Sequence, residues 1–167
     1  MTLIEGLITW VHLICASLWI GGSLFLGLVI APLLKSVYSD INERVGIMIR
    51  IGRRFNRIAI PAFGILIITG IYSSRGIIFD LNSLLYTNYG LLLLIKIILV
   101  MITIIVYYIH IRLLSFKVEE SILKRRVTSE YLNSTRSKII HLGRLTVVLS
   151  LIILLFASFL DGGVQIF

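Results

Sequence analysis

Residues 89–114 read YGLLLLIKIILVMITIIVYYIHIRLL, an apolar run broken by a single charge, Lys96, before Arg112. At about 1.5 Å rise per residue a helix of this length exceeds the roughly 30 Å hydrocarbon slab of a bilayer. The run is too long, continuous and Leu/Ile-rich to be a strand of a transmembrane barrel. Other runs of the same kind flank it, and 58 % of the 167 residues are hydrophobic against 14 % charged, well above the apolar share of soluble domains. The expected fold is all-α: an integral membrane four-helix bundle, one domain over residues 1–167, multi-pass in the cell membrane. Its spans fall at about 3–34, 56–74, 88–114 and 139–161, with connections at 35–55 and 115–138.

The first segment, MTLIEGLITWVHLICASLWIGG, lacks a basic n-region, carries Glu5 and is too long for a signal-peptide core, so it is kept as the first span. The connection after it holds Lys35, Arg44, Arg50, Arg53, Arg54 and Arg57. The connection before the last span holds Lys117, Lys124, Arg125, Arg126, Arg136 and Lys138. The positive-inside rule makes both connections cytoplasmic and both termini extracytoplasmic. The net charge of +8 is mostly this bias, which also attracts anionic headgroups. No aromatic-and-basic groove or known motif points to nucleic acid. Ile41, Val45, Met48, Ile51 and Phe55 recur at helical spacing, predicting an amphipathic helix that leads into the second span. Gly21, Gly22, Ser23, Gly64, Thr69 and Gly70 read as close-packing positions between helices. Pro32 is expected to end the first span and Pro61 to kink the second.

Polar side chains in hydrocarbon are costly and mark sites. His110 and His141 both fall roughly 13 Å from the membrane centre on the cytoplasmic side. On neighbouring helices they would face each other across one iron, as in a bis-histidine b-type haem. Arg112 and Arg144, with Lys138, would then meet the propionates. The alternative is a pair of interfacial histidines bound to headgroups or loops. His12 and Lys96 share a level in the opposite half, where Glu5 or Asp161 is a carboxylate within reach of Lys96. His12 and Cys15 are three apart and share a helix face, offering the nitrogen and soft sulfur that Cu(I) favours, with Met101 the one methionine inside a span. Copper ligand, iron ligand and hydrogen-bonded packing residue all remain open for His12. With a single cysteine, a disulfide within the chain is excluded.

The runs HLICASLWIGGSLFLGLVIAPL from His12, RFNRIAIPAFGILIITGIY at 54–72 and YTNYGLLLLIKIILV at 86–100 resemble the core of the copper-resistance protein D family. His12, Trp19, Gly22, Pro61 and Lys96 are also similar to the marks of the HemJ-type family, a four-helix group thought to bind haem. The resemblance implies a shared bundle with a cofactor or metal site around His12 and Lys96. No carboxylate pair, Ser/His/Asp order or phosphate loop indicates catalysis, so any enzymatic role would be that of a membrane oxidoreductase subunit. The expected function is b-type haem binding and electron transfer with a quinone or redox partner, within a homo-oligomer or larger membrane complex. Copper transport or resistance is the alternative, and a cofactor-free structural subunit the further one.

Overall fold

A computed structural model describes residues 2–163. Helix α1 (Leu3–Phe25) continues through a π turn (Leu26–Ile30) into α2 (Ala31–Val37). Then come α3 (Ile41–Ser73), two short helices α4 (Arg75–Ile78) and α5 (Leu81–Tyr86), α6 (Asn88–Leu113), α7 (Phe116–Leu123) and α8 (Ser129–Asp161). Each long helix opens on a residue whose side chain takes up an otherwise orphaned backbone N–H. Thr2 forms a capping box with Glu5, and Asp40, Thr87 and Thr128 cap α3, α6 and α8.

Among the described residues four helical segments are long and apolar enough to cross a membrane: α1 continued by α2, then α3, α6 and α8. The chain is an all-α, multi-pass membrane bundle. Helix α1 packs chiefly on α3 and α6 on α8, and α1 against α8 and α3 against α6 close the ring. The first and last described residues, Thr2 and Gly163, lie at one end of the bundle, here the terminal end; α7 and most of the lysines and arginines lie at the other, the basic end.

Lipid gives helices no hydrophobic reason to associate, so close packing and interhelical hydrogen bonds must hold them. At mid-bundle Trp19 stacks on Phe63 at 4.3 Å between centroids and meets the Tyr107 ring edge-on at 4.5 Å. The Trp19 indole N–H donates to Ser150 Oγ at 2.9 Å and the Tyr107 hydroxyl to Asn56 Oδ1 at 2.9 Å. These bonds tie α1 to α8 and α6 to α3. Gly22 allows the Phe55 ring to lie against the α1 backbone; a Cβ there would overlap the ring.

At the basic end a second core forms from Val45, Ile49, Leu114, Ile122, Leu132 and Ile139. The connections at 35–55 and 115–138 are accordingly not simple loops: α3 begins at Ile41, α8 at Ser129, and α7 fills the space between. The expected helix over 41–57 is present as the first half of α3. Its buried stripe runs through Val45, Ile49, Gly52 and Asn56, one position round from Met48 and Ile51, because Gly46 and Gly52 admit Leu123 and Leu114. Glu119 of α7, fully buried, pairs with Arg50 Nε at 2.7 Å and with Arg53.

One proline expectation changes. The helix does not stop at Pro32. A proline ring collides with the carbonyl four residues back, and the wider π turn accommodates it, with the Ala31 N–H reaching Leu26 O. Helix α3 likewise runs through Pro61 without interruption.

Candidate functional site

The polar side chains within the bundle occupy successive levels, and the one nearest the terminal end is built around His12. Its Nδ1 lies 2.6 Å from Thr69 Oγ1 on α3. The Thr69 hydroxyl lies 2.7 Å from Ile65 O; donating there leaves its oxygen to accept, an arrangement that matches an imidazole protonated on Nδ1. Nε2 then presents a free lone pair, the arrangement by which a neighbouring group fixes the tautomer of a ligating histidine. Gly70 makes room for the ring, as a Cβ there would already sit 3.7 Å from Cε1.

One turn along α1 the Cys15 thiol is buried, and one turn further Trp19 closes the level from below. His12, Cys15 and Trp19 therefore form one inward stripe. Lys96 of α6 is half-buried. Neither expected carboxylate pairs with it. Glu5 is held in the Thr2 cap and faces Arg75 at 3.9 Å, and among the described residues no acid lies within ion-pair distance of Lys96. About one turn outward, a cavity of about 390 Å3 lined by Glu5, Thr9, Tyr72, Ser73 and Arg75 opens at the terminal end. Arg75 stacks over Tyr72 at 4.0 Å and so forms one wall of it.

Met101, the expected third member of a copper path, is 55 % exposed on the outer face of α6 and does not join His12 and Cys15. Among the described residues no three His, Cys, Asp or Glu side chains gather where they could hold a metal. The available donor set is a pair, one imidazole nitrogen and one thiol sulfur. A closed four-ligand zinc site needs twice that.

The two remaining histidines are level, as expected, but the structure does not bring them together. His110 lies against α8 at Gly143, where a Cβ would come within 3.4 Å of its ring. His141 precedes Gly143 by two positions, about 200° round the helix. It is exposed, with Nδ1 donating to Ser137 O at 2.8 Å. The proposed bis-histidine pair is thus unassembled, and α6 packs on α8 where a porphyrin would have to lie. Arg112 is engaged by the Tyr108 hydroxyl and ring, and Arg144 is exposed, so neither converges on His110. His110 Nδ1 is itself buried with no hydrogen-bond partner.

Several polar residues of the interior escaped the sequence reading: Asn56, Thr103, Thr146 and Ser150, all buried. With Trp19 and Tyr107 they carry a polar seam from the His12 level toward His110. A lone Asn or Thr within an apolar run was the only signal available, and it says nothing about the direction the side chain takes.

A comparison with known families matches residues 49–160 to Copper resistance protein D. The match covers well over half of the chain and includes Thr69 and Lys96, while His12, Cys15 and Trp19 precede it. No curated protein and no solved structure matches. With its four membrane-crossing helices and this match, the chain belongs to the copper resistance protein D family of membrane proteins.

Proposed function

We propose that this protein handles copper in the membrane, taking one Cu(I) between His12 and Cys15 and passing it along the bundle interior. The observation that carries the reading is the 2.6 Å contact of His12 Nδ1 with Thr69, which leaves Nε2 bare on the same inward stripe as a buried thiol. Cu(I) is satisfied by few, soft ligands, and an imidazole with a thiolate suits it. With the sulfur as thiolate the loaded unit is neutral, which suits a low-dielectric site. The cavity beside Glu5 and Thr9 opens at the terminal end, one turn from His12, and the lysines and arginines at the other end support a cytoplasmic location for it.

The test is a Cu(I) titration under reducing conditions against a chromogenic chelator, on protein purified in mild detergent. The expected result is one copper per chain, lost in Cys15→Ser and in His12→Ala and kept in Met101→Leu. Retention of one copper by both Cys15→Ser and His12→Ala would contradict it.

Haem b with electron transfer to a quinone or redox partner is the second reading. One observation favours it, the buried and unpartnered His110 Nδ1, and it needs α6 and α8 to part and His141 to rotate inward. A pyridine haemochrome assay on the same preparation separates the two: b-type bands abolished by His110→Ala belong to haem, a colourless protein that holds copper to the first reading.

A further inference from the structure

On the outer side of the α1–α3 pair a groove of about 620 Å3 lies open between Trp10, Leu13, Ile14 and Leu18 of α1 and Phe55 and Ile58 of α3, with Gly22 and Ser17 on its floor. Trp10 is 60 % and Ile58 58 % exposed, so nothing among the described residues covers it. From Trp10 to Gly22 α1 rises about 18 Å, so the groove crosses the membrane midplane, and its end at Gly22, Phe55 and Ile58 lies toward the leaflet of the basic end.

The two ends of this groove differ. Arg54 stands one turn before Ile58 on the same stripe of α3, and Arg57 lies beside it. Both are exposed, and among the described residues neither has a carboxylate partner. Arg50 and Arg53, one turn further, are by contrast taken up by Glu119. Long side chains on a helix lean toward its N-terminus, which for α3 is the basic end. The two free guanidinium groups therefore snorkel out of the groove toward the headgroup layer on that side.

The geometry points to a resident anionic phospholipid, with one acyl chain in the α1–α3 groove and its phosphate held by Arg54 and Arg57. Charge selects this occupant. A zwitterionic lipid would bring its own ammonium up against two cations. A second copy of the chain, docked face to face by a two-fold axis, would set each arginine pair near its twin. Guanidinium is also suited to phosphate, which it binds in a bidentate way.

The test uses the purified full chain in nanodiscs of equal phosphatidylglycerol and phosphatidylcholine, transferred to mild detergent, with the retained lipids counted by native mass spectrometry. One phosphatidylglycerol should be kept in preference to phosphatidylcholine by about tenfold, on the order expected for two cations at a headgroup. The Arg54→Gln/Arg57→Gln pair should remove that preference. Ser17→Leu, which fills the groove and leaves every charge in place, should lower retention of both lipids. Lys117→Gln/Lys138→Gln removes the same charge from other exposed positions and should change nothing. Equal retention of the two lipids, an equal loss in the lysine pair, or full retention by Ser17→Leu would each overturn the site; Ser17→Leu also decides it should the arginine pair not fold.

Discussion

His12 Nδ1 and Thr69 Oγ1 meet at 2.6 Å across the α1–α3 interface, and this bond engages the imidazole through Nδ1 and leaves Nε2 as the nitrogen open to a ligand. Replacing Thr69 by Val keeps the shape and removes the acceptor. Loss of such a supporting contact costs roughly 10- to 100-fold in metal affinity, so Thr69→Val should weaken Cu(I) binding by that factor in the chelator titration while Thr69→Ser restores it. Equal affinities for Val and wild type would show that His12 needs no orienting partner.

The Trp19–Ser150 bond is the one link of α1 to α8 made by side chains at mid-bundle among the described residues. Ser150→Ala should destabilise the protein by about 0.6–1.7 kcal/mol, the range for hydrogen bonds between membrane helices. Trp19→Phe should lose more, because it also gives up ring area against Phe63 and Tyr107. A double-mutant cycle in a reversible detergent unfolding assay would return the pair energy alone.

Glu119 is buried between Arg50 and Arg53 outside the apolar layer. Glu119→Gln should cost roughly 1–3 kcal/mol, the range for an unsatisfied buried partner, since Arg50 is half exposed and can turn to water. The loss should appear as faster amide exchange in α7 with the four spans unchanged. Exchange that rises evenly through all helices would place Glu119 in the global core instead.

Asp40 caps α3 through the Asn42 N–H and also pairs with Arg125. The backbone bond from Asn42, with help from Arg125, holds its carboxyl below the usual value near 3.8. A lowered folded pKa means that its stabilisation is complete above about 3.8 and disappears as the pH falls through the lower, folded value. Amide protection in the first turn of α3 should therefore fall in acid, and Asp40→Asn, which still caps, should flatten that response. An unchanged acid response in Asp40→Asn would assign it to another group.

The spans were legible because length and apolarity suffice to mark a membrane helix, and depth was legible because helix rise is fixed. Counting along two helices puts His12 and Lys96 at one level of the bundle. Rotation about the helix axis was not legible. Around these positions α8 mixes Lys138 and Arg144 with Ile139, Leu142 and Leu145, so nothing in its pattern tells Gly143, which faces His110, from His141, which faces outward. The same ambiguity hid Ser150 and Asn56, and it let Met101 be grouped with Cys15 when it faces lipid. Glu119 was missed for another reason: in a charged segment one acid looks solvated until Arg50 and Arg53 close over it.

The central claim is a two-ligand copper site, and copper K-edge X-ray absorption of the Cu(I)-loaded protein tests it most directly. One sulfur and one imidazole nitrogen around copper, with the sulfur lost in Cys15→Ser, is the predicted result. A spectrum without sulfur, or one that Cys15→Ser leaves unchanged, would contradict it.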